Sequence, residues 1–224
     1  MAIQQIFEAI SPRYDLMNRI MTLGQDRGWR RELIKRLDLK PGERLLDLGA
    51  GTGDLSFEAL RQQPRCQVVA ADFTLAMLRL GQQRQDGEAV PWIVADALRL
   101  PFPDESFDAV ISGFLLRNVP DLDAALQEHK RVLKPHGRLA SLDTSRPPQN
   151  GLSPFIKVYL NFYIPLIGSL IARNRQAYQY LSTSTQAFLP AEALAERITQ
   201  AGFFDVRFQS CMLGTIGLHW ARKP

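Results

Sequence analysis

Between positions 44 and 144 the chain alternates short apolar runs with amphipathic stretches of helical period. LLDL (45–48), CQVVAAD (66–72), PWIVAD (91–96), FDAVISGF (107–114) and GRLASLD (137–143) are short, apolar and bounded by turn residues, as strands buried on both faces are. Residues 54–61, LAMLRLGQQR (75–84) and LDAALQEHKRVL (122–133) carry helical spacing between them. Such alternation predicts an α/β fold with a doubly wound, mainly parallel sheet that binds ligands at the carboxyl ends of its strands. Ahead of the first strand, Ile3, Ile6, Phe7 and Ile10 have helical spacing, and Ser11 and Pro12 mark a stop before YDLMNRIM. WRRELIKRL (29–37) reads as an amphipathic helix that stops at the KPGE turn. FFDVRFQSCM and GTIGLHWARK look like two neighbouring strands joined by a short turn. The expectation is a single domain over 1–224, with a helical N-terminal cap over 1–40 and a helical insertion over 144–202 before the last two strands.

That insertion holds the most apolar piece of the chain, FIKVYLNFYIPLIGSLIA (155–172). Lys157, Asn161 and Pro165 interrupt it, so it lacks the ~18–20 uninterrupted apolar residues of a membrane span. It reads either as a helix pair packed on the domain or as a lid or interfacial helix for a long apolar substrate tail, with Arg173 and Arg175 following at once.

At 224 residues, 46% hydrophobic and 22% charged, the composition suits one soluble domain with a full core. The formal net charge is +4, and residues 13–44 hold nine basic against five acidic side chains. That segment is either a solvated helix face or a patch that leans on anionic lipid at the membrane surface. Basic residues without interleaved aromatics give no nucleic-acid signature. The two cysteines, Cys66 and Cys211, form neither a metal spacing nor a disulfide framework, so a reducing compartment is the default, and a cytoplasmic protein is expected. The first ten residues, with a glutamate and no basic start, read as neither signal nor transit peptide.

The chemistry gathers around GAGTGD, after the first strand. Gly49, Gly51 and Gly53 let a tight turn approach a ligand, but position 54, where a dinucleotide-binding turn has glycine, is Asp. A carboxylate in the first helical turn repels a pyrophosphate, so the turn favours a nucleoside with a cationic or zwitterionic tail, such as S-adenosyl-L-methionine. Asp72 ends the second strand about twenty residues after the turn, where a carboxylate meets ribose hydroxyls. Asp96 ends the third strand and can accept from an adenine amino group, with small Ala97 letting the ring lie flat. Asp47, inside a strand, needs a partner in the loop backbone or in the cofactor's ammonium group. After the fourth strand, GFLLRNVPD lacks the DPPY-like tetrad that shapes a slot for a flipped base. Arg117 and Asn118 stand there instead, one suited to stabilise a phenolate-like oxygen and the other to orient it or a water.

YDLMNRIMTLGQDRGW, LLDLGAGTGDLS, AADF, DALRLPFPDESFD, LLRNVPD, ALQEHKRVLKPHGRL and YQYLSTSTQAF together resemble, end to end, the ubiquinone/menaquinone biosynthesis C-methyltransferases. The resemblance implies a class I S-adenosylmethionine-dependent methyltransferase fold, Rossmann-like, and methylation of a ring carbon of a polyprenylated quinol. It implies cofactor contacts at Thr52, Asp72, Asp96 and Ala97, and places Tyr14, Arg117 and Asn118 beside the acceptor ring. Gly113 stands where the family often has a serine, so only a backbone contact survives there; His136 replaces a usual glycine and Asp143 a common glutamate. The expected reaction is demethylmenaquinol to menaquinol, with a polyprenyl benzoquinol or another lipid or phenol as the alternative acceptor. A non-catalytic cofactor-binding subunit is the alternative of a different class, and a homodimer stays open. His129, His136 and His219 read as structural, so no general base is named, and no metal is expected.

Overall fold

A computed structural model describes residues 8, 10, 11, 14–147, 156, 158–164, 166 and 175–224. In β1 (Arg44–Leu48) successive side chains point to opposite faces of the sheet, so Leu45 joins one core and Leu46 and Leu48 the other. The neighbouring strands are β2 (Gln67–Asp72), β3 (Trp92–Val94), β4 (Phe107–Gly113), β5 (Leu133–Thr144), β6 (Phe204–Cys211) and β7 (Ile216–Arg222). They form one seven-stranded sheet of order β3-β2-β1-β4-β5-β7-β6, parallel except for β7, which runs antiparallel to both β5 and β6. The order reverses between β1 and β4. A crevice therefore opens at the carboxyl ends of β1, β2 and β4, where a doubly wound sheet takes its ligand.

The helices are α1 (Tyr14–Met21), α2 (Asp26–Leu37), α3 (Asp54–Gln62), α4 (Leu75–Gln82), α5 (Leu122–Val132), α6 (Arg175–Ala187) and α7 (Ala191–Gln200). Trp29, Leu33, Ile34 and Leu37 bring α2 onto one face of the sheet together with Leu55 and Ala59 of α3. Leu126 and Val132 of α5 and Leu194 and Ile198 of α7 cover the other face. A third cluster joins Ile10, Met17 and Met21 to Ile156, Leu160 and Ile164, so the chain ahead of β1 and the insertion pack on one another.

Three elements differ from the pattern-based expectation. The second helix begins at Asp26, ahead of Trp29, because that buried carboxylate is bonded by Arg30 one turn on and by the Thr22 hydroxyl (3.0 Å). The last parallel strand begins at Leu133, directly after α5, and runs through the KPHG stretch with a register shift opposite Phe107 and Ala109. His136 lies there at φ 62°, a left-handed conformation that glycine takes without strain. The third strand keeps only three residues, Trp92–Val94, at one edge of the sheet. The closing pair of strands is as expected. Within the apolar 155–172 stretch, Tyr159–Tyr163 forms a π-helical turn. Lys157, Pro165, Ile167, Ile171 and Arg173 lie outside the described residues. No described helix is long and apolar enough to cross a membrane.

Candidate functional site

The glycine turn wraps the end of β2: the N–H groups of Gly49 and Ala50 both donate to Ala71 O (2.8 and 3.0 Å). Asp72 locks the next step. Its Oδ2 accepts from Gly51 N–H (2.8 Å) and its Oδ1 from Thr74 N–H (2.7 Å). Burial raises the Asp72 carboxyl above its ordinary range, and these backbone donors pull it part of the way back. A cavity of about 390 Å³ opens beside this carboxylate. Gly49, Gly51, Asp72, Asp96, Ala97, Gly113 and Asn118 all line it, as does the half-exposed Phe73. Asp96 stands exposed at the mouth and uses Oδ1 to accept from Leu98 N–H (2.9 Å). A Cβ on Gly113 would lie 2.9 Å from Leu55 Cδ1, so this wall leaves only backbone facing the cavity.

Two of the residues expected at the cofactor do not line this cavity. Asp47 is fully buried and does not line the cavity; its Oδ2 accepts from Ser56 N–H (3.0 Å) and Ser56 Oγ (2.6 Å), tying β1 to α3. Asp47 Oδ1 has no partner, and burial pushes the carboxyl up to about 7. The Thr52 hydroxyl turns away from the large cavity to donate to Asp15 Oδ1 of α1 (2.7 Å). Thr52 instead lines a pocket of about 30 Å³ with Arg30, Asp54 and Phe114.

Asp54 also departs from its expected part, because its charge is balanced within the protein. Arg84 Nη1 lies 2.7 Å from one of its oxygens and Arg30 Nη2 3.4 Å from the other. Burial opposes ionisation there, yet the two arginines win and hold the carboxyl below its usual range. The repulsion that position 54 was expected to exert on a pyrophosphate is thus largely neutralised. Arg84 also donates to Thr52 O (3.0 Å) and lies 3.6 Å from Asp15, so α1, the glycine turn and the end of α4 share one polar network. Composition and spacing alone give no signal for this network, because its members are ordinary charged residues far apart in the chain.

Beyond β4 the backbone turns sharply through Phe114, at φ 58°. A bulky residue in that region is strained by about 1–3 kcal/mol. Phe114 lines the large cavity, the pocket beside Thr52 and a third cavity of about 60 Å³. The exposed surface of the third cavity is mainly apolar, with Met21, Tyr159, Leu160, Ile164 and Leu181 in its wall; Arg117, Thr144, Asn18, Thr22, Thr185 and Thr215 are its polar members. Arg117 is nearly buried and sits in an ion pair with Asp143 of β5 (3.0 Å), its guanidinium 5.2 Å from the Phe114 ring centroid. Its backbone N–H reaches the same carboxylate (3.2 Å), while its buried Nε has no partner. Burial holds the Asp143 carboxyl above its ordinary range even with Arg117 pulling it down. The Asn118 amide donates to Phe114 O (2.7 Å) and accepts from the Tyr180 hydroxyl of α6 (3.0 Å). Tyr14 opens α1, and its side chain lies outside the described residues.

The ubiE/COQ5 methyltransferase family model matches residues 1–223. The chain belongs to this family. The ubiquinone/menaquinone biosynthesis C-methyltransferase UbiE of Desulfotalea psychrophila is 46% identical over 221 residues, 99% of this chain and 90% of the relative. The demethylmenaquinone methyltransferase of Thermus thermophilus is 40% identical over 221 residues, 98% of this chain and all of the relative. Among solved structures, the [4+2]-cyclase SpnF superposes with a TM-score of 0.71 at 19% identity, covering 99% of this chain and 95% of that one. A methyltransferase of Thermotoga maritima, described as a possible histamine N-methyltransferase, gives 0.68 at 19% identity, covering 98% and 99%. At such identities the structures establish the class I methyltransferase fold and no more.

In this ubiE/COQ5 family chain two histidines are removed from the crevice chemistry by burial. His129 Nδ1 is bonded to Ala125 O (2.6 Å) and His219 Nε2 to Ala191 O (2.8 Å). Burial lowers both imidazoles below their ordinary range, which keeps them neutral. His136 lies near the amino end of β5, away from the crevice at the carboxyl ends, in a groove with Lys134 and Arg138. No group of three or more potential metal ligands occurs among the described residues.

Proposed function

We propose that this methyltransferase transfers the methyl group of S-adenosyl-L-methionine to a ring carbon of a polyprenylated quinol, converting demethylmenaquinol to menaquinol. The carrying observation is the pair of cavities that share Phe114. One is a mainly apolar space into which Asp72, Asp96 and the backbone of the glycine turn bring polar groups, and the other is a smaller, mainly apolar space bordered by Arg117. The larger one fits the cofactor's chemistry. Asp72 retains lone pairs for ribose hydroxyls, Asp96 can accept from an adenine amino group, and Phe73 and Ala97 supply apolar faces for the ring. Gly49, Gly51 and Gly113 let backbone come close, and Thr52 with Arg30 borders the pocket at the other end of the turn. Asp47 acts indirectly, by fixing the start of α3 through Ser56. The family's names for its members support the acceptor class.

The cofactor, when bound, supplies a methyl group on a positively charged sulfur, already activated for transfer. The protein's work is therefore alignment and exclusion of water. Phe114 stands between the cavities, and Asn118, bonded to its carbonyl, faces the larger one; in this reading the two set the line along which ring and methyl meet. Arg117, with its charge shared with Asp143, is unsuited to act as a base. Its free Nε–H is a donor for a quinol oxygen that has lost its proton. The family resemblance gives Tyr14, at the start of α1, a place beside the acceptor ring.

The acceptor's polyprenyl tail prefers lipid, and the surface above the apolar cavity suits that preference. Val158, Phe162 and Leu166, spaced at i, i+4 and i+8, face outward, while Leu160 and Ile164 of the same stretch line the cavity. Leu16 and Leu23 are also exposed, near exposed Arg19 and Arg27. The reading includes a cytoplasmic protein resting peripherally on the membrane by these residues. The test is incubation of the purified protein with methyl-labelled S-adenosylmethionine and chemically reduced demethylmenaquinone. Label on the naphthoquinol ring carbon is expected. Label only on a demethylated benzoquinol moves the protein to the ubiquinone branch, and no label on any reduced quinone overturns the proposal.

A further inference from the structure

We propose that Tyr180 is a positioning residue for this reaction: its hydroxyl fixes the Asn118 amide and so joins helix α6 to the wall between the two cavities. The inference rests on the methyl-transfer reading and deepens it by adding a residue that touches neither cavity. The orientation of the amide follows from chemistry. Phe114 O can only accept, so the Asn118 nitrogen must face it (2.7 Å), which turns Oδ1 toward Tyr180 and obliges the phenol to donate (3.0 Å). Burial raises the Tyr180 hydroxyl above its ordinary range, so it keeps its proton for this bond at any working pH.

The connection runs both ways. Asn118 lines the large cavity, while Leu181 and Thr185, next to Tyr180 and one turn beyond it, line the small one. The Tyr180 ring itself packs against the cluster of Met17, Met21, Leu160 and Ile164. A single hydrogen bond therefore couples what fills the apolar cavity to the amide facing the cofactor, and through Phe114 O to the strained residue common to both spaces. Losing it leaves Oδ1 without its donor and the amide held by Phe114 O alone, with the ring packing unchanged in Tyr180→Phe.

The experiment compares Tyr180→Phe, Asn118→Ala and the double variant. With reduced demethylmenaquinone, Tyr180→Phe is expected to lower kcat about tenfold, the scale of one buried hydrogen bond, with the KM for S-adenosylmethionine within twofold. The same change in the Asn118→Ala background should do nothing further. An unchanged kcat in Tyr180→Phe, or losses that simply multiply in the double variant, overturns the proposal. A parent protein that turns over no quinol counts against the functional reading instead. The coupling is then read without activity, from the side-chain amide NMR signals of ¹⁵N-asparagine-labelled protein. The Asn118 pair, assigned by its absence in Asn118→Ala, shifts in Tyr180→Phe if the bond holds the amide, and stays in place if it does not.

Discussion

At the scale of single residues, the site depends on how each buried charge is balanced. Asp72 already serves two backbone donors, and its remaining lone pairs are the ones available to a ribose. Asp72→Ala is expected to raise the dissociation constant of S-adenosylhomocysteine about 100-fold, the loss of two charge-assisted bonds, in a calorimetric titration. Arg117 and Asp143 form a different kind of pair, with the arginine side chain 3% and the aspartate 1% exposed. Removing one partner strands the other, so Arg117→Leu should cost about 3–5 kcal/mol in chemical denaturation. Arg117→Leu with Asp143→Leu should recover most of that stability and none of the turnover, which separates the structural from the chemical part of the pair. Asp47 gives a pH signature. Its folded carboxyl titrates near 7, above the 3.8 of a free aspartate, so between those values the folded state holds a proton that the unfolded state has released. Its contribution to stability is full below about 4 and is lost as the pH rises through 7, at up to about 1.4 kcal/mol per pH unit. Relative to the parent, Asp47→Asn should gain stability from pH 4 to 7 and stay level above, in urea titrations at a series of pH values.

The elements show where sequence pattern suffices and where it does not. β1, β2, β4 and the closing hairpin were legible because their apolar runs are short and their turns are marked by glycine, aspartate or proline. The start of α2 was not, since Asp26 is a helix residue only by virtue of Arg30 and Thr22 closing around it. The glycine turn was legible as a turn, yet the need for glycine at 53 is tertiary. Gly53 sits at φ 86°, and a Cβ there would approach Trp92 Cη2 to 2.5 Å. Gly53→Ala should therefore cost about 2–4 kcal/mol, backbone strain and overpacking together, measured as a fall in the denaturation midpoint. Thr52 and Asp54 show the reverse case. Their place in the motif was plain, but their side chains are claimed by Asp15 and Arg84, which no spacing rule connects to them.

Across the whole molecule, the reversal of strand order beside β1 puts Asp72, Gly113 and Asn118 on one crevice, although they lie far apart in the chain. The third cluster then brings the N-terminal helices and the insertion together over the apolar cavity, leaving Leu16, Leu23, Val158, Phe162 and Leu166 in solvent. Vesicles containing anionic phospholipid should carry the protein upward in a flotation gradient, and Phe162→Asp should reduce the floating fraction severalfold without changing methylation of a short-tailed, water-soluble quinol. Equal flotation of parent and variant would remove that face from the membrane contact.

The sheet class, the glycine turn and the carboxylates that end the strands at 72 and 96 could be read from the chain, because they depend on local period and on neighbouring residues, and the family from motifs spread along its whole length. It took the folded chain to pair Arg117 with Asp143, to neutralise Asp54, to tie Asp47 to a helix and to bring Tyr180 to Asn118. Each of those is a bond between side chains brought together by strand order and helix packing, and the energy of a buried charge or amide depends on the partners it finds there.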